Sequence, residues 1–358
     1  MYSINISEFY LELFISFACF GFISSYLALE TIYTLSKHKN LMAKPEVRSS
    51  HSIVTPTLGG IAIYMSELMT IMLIGVYFDA KTMLMFLSST TVLMFLGLKD
   101  DLLFLSQRKK FIIQVCVGLF FILTTDIRIT HLFGLFDIQL LSYEHSIAFS
   151  TFVLVLILNA YNIIDGIDGL AAGFGIVSIS LFSILHYLHN QYGFALIGAS
   201  FIGSLVAFSR LNLSEKRKMF MGDTGSMVIG FSIAVFAINF LKISSVNNDD
   251  LFSESAPVIV LSLLFFPLMD TLRVIVLRVF KYKTSPFKAD KNHVHHYFLK
   301  YLRSHVKVSL LIIGINILII FSAFIFKFDF WEYHLLLISL LGILLYFITF
   351  QIIKRSPK

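Results

Sequence analysis

Two asparagines and two aspartates interrupt an otherwise apolar stretch near the middle of the chain, in the segment "NAYNIIDGIDGLAAG" at 159–173. Asn159, Asn162, Asp165 and Asp168 follow one another at intervals of three residues, so neighbouring members share a helix face. Ionisable groups are costly at membrane depth, and there they mark a substrate or ion path. Their oxygen atoms suit a hard cation such as Mg²⁺. A polar helix end at the membrane interface is the simpler alternative.

Two shorter acidic motifs add further carboxylates. In "GLKDD" at 97–101, Asp100 and Asp101 end an apolar run, where they would handle a cation or a proton. A helix cap plus a solvated charge is the alternative for that pair. In "MGDTGS" at 221–226, Asp223 opens a helix whose free N–H groups and dipole favour anions. Asp223 would hold a metal while those amides hold a phosphate, and a plain capping motif is the alternative.

Histidines and basic residues form two more motifs. Arg48 and His51 precede a Pro-Thr-Leu-Gly-Gly sequence, which is a weak signal alone. His293, His295 and His296 lie in a lysine-rich segment without cysteine, which favours donors for an anionic substrate over a Zn²⁺ site. Carboxylates for Mg²⁺ together with cations for phosphates indicate phosphoryl transfer that involves a nucleotide or a pyrophosphate.

The composition predicts the scaffold that must position these groups. Of the 358 residues, 57% are hydrophobic and only 14% are charged, and the mean hydropathy is +0.83. Soluble domains carry about a quarter charged residues, so the chain is predicted to be an all-α polytopic protein of the lipid bilayer. The net charge of +6 is small and dispersed, and no nucleic-acid partner is expected.

Eleven apolar runs are long enough to cross about 30 Å of hydrocarbon, and they are predicted to form one domain over 1–358. These runs lie at 9–34, 57–78, 82–98, 111–126, 145–163, 170–189, 192–209, 225–243, 257–279, 307–326 and 333–353. Glu67, His186 and Asp270 fall inside the runs and are assigned to local pairing.

The basic residues orient these spans. With the N-terminus outside, 24 of the 28 Lys and Arg residues lie in inside segments, and the others are Lys81, Arg128, Lys242 and Lys327. Cytoplasmic loops carry such an excess, so the N-terminus is predicted to be periplasmic and the C-terminus cytoplasmic. The acidic motifs then face the cytoplasm, and the stretch 127–144 is predicted to form a short periplasmic hairpin.

Five motifs, in this order, resemble the polyprenyl-phosphate N-acetylhexosamine-1-phosphate transferases (the MraY/WecA superfamily, glycosyltransferase family 4). The motifs are "RSSHSIVTPTLGG", "KDD", "NAYNIIDGIDGLAAG", "MFMGDTGS" and "SPFKADKNHVHH". The resemblance implies a bacterial inner-membrane enzyme with a cytoplasmic active site, and it leaves a homodimer open. Such an enzyme moves a sugar-1-phosphate from a UDP-N-acetylhexosamine to undecaprenyl phosphate, as the first membrane step of a cell-envelope polysaccharide. It releases UMP and needs Mg²⁺, with Mn²⁺ as the alternative ion.

The resemblance also implies roles for individual residues. Asp100 and Asp101 match the family's acidic pair, one of them a candidate base for the lipid phosphate. Asn162 and Asp223 match the positions that hold the metal and the pyrophosphate. The expected catalytic set comprises Asp100, Asp101, Asp223, His293 and His296.

A second set of residues is expected to bind the substrates. Asp165 and Asp168 match the nucleotide-binding motif, with Asp168 toward the uracil. Asn212 lacks the Pro-Ala step found after it in family members, because "LSEKRKM" stands there, and this departure weakens its assignment to the base. The full substrate-binding set comprises Arg48, His51, Asp165, Asp168, Asn212 and His295.

The "HVHH" tail matches the branch that uses simple amino sugars, so UDP-GlcNAc is the expected donor. His293 and His296 are three residues apart and are expected to contact the sugar or its phosphate, with His295 more structural. One alternative is the phospho-N-acetylmuramoyl-pentapeptide transferase of peptidoglycan synthesis, and another is a non-enzymatic membrane transporter. A transporter would not explain five polar motifs on one face. A CDP-alcohol transferase would need an arginine that "DGIDGLAAG" lacks.

Overall fold

The described residues of the computed structural model are almost entirely helical. They comprise 9–39, 55–135, 138–246, 255–283, 293–325 and 331–355. The helices within these ranges are α1 Tyr10–His38, α2 Gly59–Ile74, α3 Ala80–Leu103, α4 Gln107–Thr125, α5 Tyr143–Ile164, α6 Leu170–Leu188, α7 Tyr192–Asn212, α8 Gly222–Ser244, α9 Ala256–Leu263, α10 Phe265–Val276, α11 Val294–Leu302, α12 His305–Ile325 and α13 Trp331–Arg355. A π-helical turn, Leu277–Lys281, extends α10.

In the described part of the chain, seven helices are long and apolar enough to cross a membrane, namely α1, α3, α5, α6, α7, α8 and α12. The bent pair of α9 and α10 adds an eighth candidate. The chain is therefore a multi-pass membrane protein. Every predicted run coincides with a helix or with the bent pair, but α2, α4 and α13 are not among these candidates, and α2 has only 16 residues and a length of about 24 Å. The count of eleven spans and the orientation of the termini therefore stay predictions.

The run predicted at 257–279 is bent, because α9 and α10 meet at an angle of 71°. Pro267 has no N–H to donate to the backbone oxygen of Leu263. Asn316 of α12 satisfies the freed groups, since its Nδ2 donates to that oxygen at 3.2 Å. Its Oδ1 accepts the N–H of Phe266, also at 3.2 Å. A break in a membrane helix requires such partners for its backbone.

Helix α8 forms the centre of the bundle, where it packs against α2, α3, α5 and α6. Glycines on two of these neighbours let backbones touch its first turn. A Cβ at Gly60 of α2 would lie 2.0 Å from the backbone nitrogen of Gly225, so α2 has no room for a side chain there. A Cβ at Gly97 of α3 would lie 2.5 Å from the carbonyl oxygen of Asp223. The first turn of α8 is thus held between α2 and α3.

A short antiparallel connection joins α4 to α5. The N–H of Leu132 donates to the carbonyl oxygen of Gln139 at 3.0 Å, and the N–H of Leu141 donates to that of Thr130 at 2.9 Å. The hairpin shape predicted within 127–144 is confirmed by these bonds. Its position on the periplasmic side stays a prediction.

Candidate active site

Polar side chains from four helices converge where α3 and α5 end and α4 and α8 begin. The ammonium of Lys110 lies 3.2 Å from Asp100 Oδ2 and 3.5 Å from Asn162 Oδ1, and it also contacts Asp223 Oδ2. Asn162 Nδ2 donates to Asp223 Oδ1 at 2.8 Å and to the hydroxyl of Ser226 at 2.6 Å. Three acidic or amide motifs that are far apart in the sequence therefore form one site.

Asp101 follows Asp100 in the sequence but faces different neighbours. Its Oδ1 accepts the N–H of Asp223 at 2.9 Å, and its Oδ2 accepts the N–H and the hydroxyl of Thr224 at 3.0 and 2.6 Å. Asp100 instead accepts the N–H of Leu105 at 2.5 Å and faces the buried ammonium. The two carboxylates of the acidic pair therefore have separate partners.

Three oxygens surround the place that the ammonium occupies, namely Asp100 Oδ2, Asn162 Oδ1 and Asp223 Oδ2. A donor set made only of oxygens suits Mg²⁺ or Mn²⁺. Among the described residues, no group of three or more His, Cys, Asp or Glu side chains could hold a metal ion. Two carboxylates and an amide would leave the remaining positions of an octahedral cation to water or to oxygens of a substrate phosphate. The residues therefore fit a hard divalent cation.

Asp165 lies beside this acidic site, directly after the last residue of α5. Loss of hydration, together with the negative charges of Asp223 and Asp101, raises the pKa of Asp165 well above its usual range. The raised pKa favours the protonated form of this carboxyl group, whose hydroxyl can donate a hydrogen bond.

The rest of the aspartate-glycine segment is tied to α12 and to the connection between α7 and α8. Asp168 is buried, its carboxylate pairs with Lys218, and it lies 3.3 Å from Nδ1 of His305. Asn212 Oδ1 accepts the N–H of Gly169 at 2.6 Å, and its Nδ2 donates at 3.0 Å to a backbone carbonyl before α8. Asn212 therefore holds this segment in place, and its contact with a base stays a prediction.

The histidine motif is anchored on α10. Asp270 lies 2.9 Å from His293 Nδ1 and accepts the N–H of Val294, the first residue of α11, at 2.9 Å. The ring of His295 stacks on that of His293, and its Nε2 would lie 3.2 Å from a Cβ at Gly166. Burial lowers the pKa of His295 to about 3, although the negative charge of Asp270 acts in the opposite direction. The ring is therefore neutral at pH 7. The motif therefore lies against the aspartate-glycine segment.

Comparison with known proteins gives the family. The model of glycosyl transferase family 4 matches residues 83–241. A decaprenyl-phosphate N-acetylglucosaminephosphotransferase from Mycobacterium leprae is 30% identical over 312 residues, which cover 81% of this chain and 78% of that protein. The chain belongs to glycosyl transferase family 4.

Other relatives of this family 4 transferase lie in two branches. A probable undecaprenyl-phosphate N-acetylglucosaminyl 1-phosphate transferase from Bacillus subtilis is 28% identical, covering 79% of this chain and 76% of that protein. A phospho-N-acetylmuramoyl-pentapeptide-transferase from Bacillus thuringiensis is also 28% identical, covering 68% of this chain and 75% of that protein. The match to the N-acetylglucosamine relatives extends over more of the chain, which places it in their branch.

The structure brings five of the twelve predicted site residues of this family 4 transferase together at the buried ammonium of Lys110. Those around the buried ammonium or beside it are Asp100, Asp101, Asn162, Asp165 and Asp223. Of the three histidine rings, those of His293 and His295 are buried and that of His296 is partly exposed. Arg48 and His51 lie outside the described residues, so their predicted roles stay untested.

Three basic groups that contact the site aspartates are not predicted from the sequence, namely Lys110, Lys218 and His305. Lys110 belongs to the run "QRKK", which the excess of positive charge on one side of a membrane explains without a site. Arg108 and Lys109 are exposed, whereas Lys110 is buried. The rotation of α4 about its axis decides between them, and the sequence alone carries no signal for it.

Proposed function

We propose that this chain transfers GlcNAc-1-phosphate from UDP-GlcNAc to undecaprenyl phosphate and releases UMP. The observation that carries this proposal is the convergence of two carboxylates, an amide and an ammonium at one end of the bundle. Such a site offers oxygen ligands for a divalent cation together with positive charge for phosphates. The relatives from Mycobacterium leprae and Bacillus subtilis are named for N-acetylglucosamine phosphate transfer to polyprenyl phosphates, which supports the same activity here.

In this transfer, an oxygen of the lipid phosphate attacks the phosphorus that carries the sugar. A P–O bond to the lipid forms, the P–O bond to UMP breaks, and UMP leaves with the electron pair. We assign to Asp100 the acceptance of a proton from the lipid phosphate, because its Oδ2 faces the place that the Lys110 ammonium occupies. The positive charge of Lys110 stabilises negative charge on the phosphoryl oxygens. Mg²⁺ held by Asp223 and Asn162 would neutralise further charge on the pyrophosphate.

The donor's nucleoside end is proposed to lie at the aspartate-glycine segment. The buried carboxylate of Asp168, which pairs with Lys218 and lies 3.3 Å from Nδ1 of His305, is the proposed acceptor for an N–H of the uracil ring. The partly exposed ring of His296 is the member of the histidine motif best placed to reach the sugar or its phosphate. The excess of basic residues on one side supports a cytoplasmic site in a bacterial inner membrane.

The proposal is tested with purified protein in detergent, labelled UDP-GlcNAc, undecaprenyl phosphate and Mg²⁺. Labelled lipid and UMP are expected in equal amounts. Asp223→Asn keeps the size of the side chain and removes its charge, so turnover is expected to fall about 100-fold or more. Asp126→Asn is the matched control, because Asp126 is an exposed carboxylate at the opposite end of α4. Full turnover by Asp223→Asn would contradict the proposed site.

Transfer of phospho-N-acetylmuramoyl-pentapeptide is the second candidate function, which the relative from Bacillus thuringiensis favours. Purified protein given both donors at equal concentration distinguishes the two. Preferential use of UDP-GlcNAc is expected. Preferential use of the pentapeptide donor would reject the N-acetylglucosamine branch and leave the membership of family 4 unchanged.

A further inference from the structure

The N-terminus of α8 is capped by a side chain from another helix. The first N–H groups of a helix have no acceptor within it, and a cap residue directly before the helix usually supplies one. Met221 precedes α8 and provides no side-chain cap. Asp101 of α3 instead accepts the N–H groups of Asp223 and Thr224 at 2.9 and 3.0 Å, and the hydroxyl of Thr224 at 2.6 Å.

The approach of α3 to α8 is so close that it requires glycine at two positions. Gly222 has a φ of +71°, and a Cβ there would lie 2.6 Å from Asp101 Oδ2. One turn earlier on α3, a Cβ at Gly97 would lie 2.5 Å from the carbonyl oxygen of Asp223. The end of α3 therefore touches the start of α8 at two points, at Gly222 and at the backbone of Asp223.

We propose that Asp101 is a positioning residue, which caps α8 from outside that helix and thereby fixes the Asp223 carboxylate in the site. The inference rests on the proposed function for the role of Asp223. Adjacent residues on a helix point about 100° apart, so Asp100 can face Lys110 while Asp101 faces the backbone of α8. The positive end of the α8 dipole favours a carboxylate at this place.

The test compares Asp101→Asn, Thr224→Val and the double variant in the purified full-length protein. The Asn side chain turns an N–H donor towards the helix amides, whereas Thr224→Val removes only the hydroxyl. Asp101→Asn is expected to lower the thermal midpoint of substrate-free protein by about 2–4 °C. Thr224→Val should lower the midpoint by less. The double variant should lower it by less than the sum of the two single changes, because both changes remove the contact between Asp101 and the Thr224 hydroxyl.

Turnover measurements distinguish a positioning role of Asp101 from a direct role in the reaction. Asp101→Asn is expected to lower turnover with UDP-GlcNAc about tenfold, and Asp100→Asn to lower it by about 10²–10⁴-fold. Asp101→Asn should also raise the Mg²⁺ concentration that gives half-maximal turnover, because Asp223 is displaced. Asp100→Asn is expected to leave the thermal coupling between Asp101 and Thr224 intact.

Asp79→Ala is the matched control for a lost helix cap, because Asn would still cap that helix. Asp79 caps α3 at its other end, with bonds to the N–H and the hydroxyl of Thr82 at 3.3 and 2.5 Å. This variant is expected to lower the thermal midpoint to a similar degree and to leave turnover and the Mg²⁺ requirement unchanged. The comparison separates a cap that positions the site from one that only stabilises the fold.

Two outcomes would overturn different statements. If Asp101→Asn loses as much turnover as Asp100→Asn, with an unchanged thermal midpoint and no coupling to Thr224→Val, then Asp101 reacts and does not position. If the unmodified protein transfers no sugar phosphate, the proposed function fails, and the thermal coupling between Asp101 and Thr224 still tests the cap.

Discussion

The carboxylate of Asp270 and the ring of His293 lie 2.9 Å apart, on α10 and directly before α11. Asp270 is only 2% exposed. It also accepts the N–H of Val294 at 2.9 Å and lies 3.8 Å from Nδ1 of His295. One buried carboxylate therefore orients His293 and the first amide of α11, and the ring of His295 stacks on that of His293. A buried charge is stable only while such partners surround it.

Asp270→Asn is expected to lower the free energy of unfolding by about 1–3 kcal/mol, because His293 and the start of α11 lose a charged acceptor. Turnover should fall as well, since His295 is no longer fixed against Gly166. Thermal unfolding and UMP release measure the two effects. Glu30→Gln is the control, because Glu30 and Arg217 form a partly exposed ion pair worth at most about 1 kcal/mol. Equal stability of the two variants would contradict the anchoring role.

Lys110→Met removes the ammonium between Asp100 and Asp223, so two carboxylates lose their neutralising partner. A loss of about 3–5 kcal/mol in the free energy of unfolding is expected in the presence of a chelator. Added Mg²⁺ should restore part of the thermal midpoint, because the same oxygens can bind it, while turnover stays low. Lys109→Met, at an exposed neighbour, should behave like the unmodified protein. A thermal midpoint that does not respond to Mg²⁺ in either protein would argue against the cation site.

Asn162→Ala tests the amide ligand. Its loss removes an oxygen from the cation site and two hydrogen bonds, to Asp223 and Ser226. The Mg²⁺ concentration for half-maximal turnover is expected to rise about 10–100-fold. Asn159→Ala is the control from the same motif, because Asn159 donates to Gln114 on α4 at 2.8 Å and not to the site. A similar Mg²⁺ requirement in both variants would remove Asn162 from the ligand set.

The sequence predicts where the polar motifs meet, because apolar runs end at these motifs and place them at one end of the bundle. It does not predict which of two adjacent polar residues turns into the site. Lys110 and Lys109 differ in this respect, as do Asp100 and Asp101. Each choice depends on the rotation of a helix by about 100° per residue, and packing against neighbouring helices sets that rotation. Tertiary contacts therefore decide what the spacing of the motifs leaves open.

The bend between α9 and α10 depends on a residue about 50 positions away, which the local sequence cannot reveal. Asn316→Leu is expected to lower the free energy of unfolding by about 1–3 kcal/mol, because the N–H of Phe266 and the carbonyl of Leu263 lose their partner. Ser322→Ala, on the same helix, removes only a bond to the backbone of its own turn and should change stability by less than about 0.5 kcal/mol. Thermal unfolding in detergent checks both, and equal midpoints would contradict the role of Asn316.

Cysteines introduced beyond the two ends of α8 test which side of the membrane the site faces. Val246 follows α8 and Glu215 precedes it, and both are exposed. In a chain with Cys19 and Cys116 replaced by serine, a membrane-impermeant maleimide added to intact spheroplasts is expected to label Val246→Cys and not Glu215→Cys. The excess of basic residues on the other side supports this direction. Both cysteines should react with the maleimide in opened membranes, which shows that each one is accessible to the reagent. Labelling of Glu215→Cys alone from outside would place Asp223 on the outer side and overturn the cytoplasmic assignment.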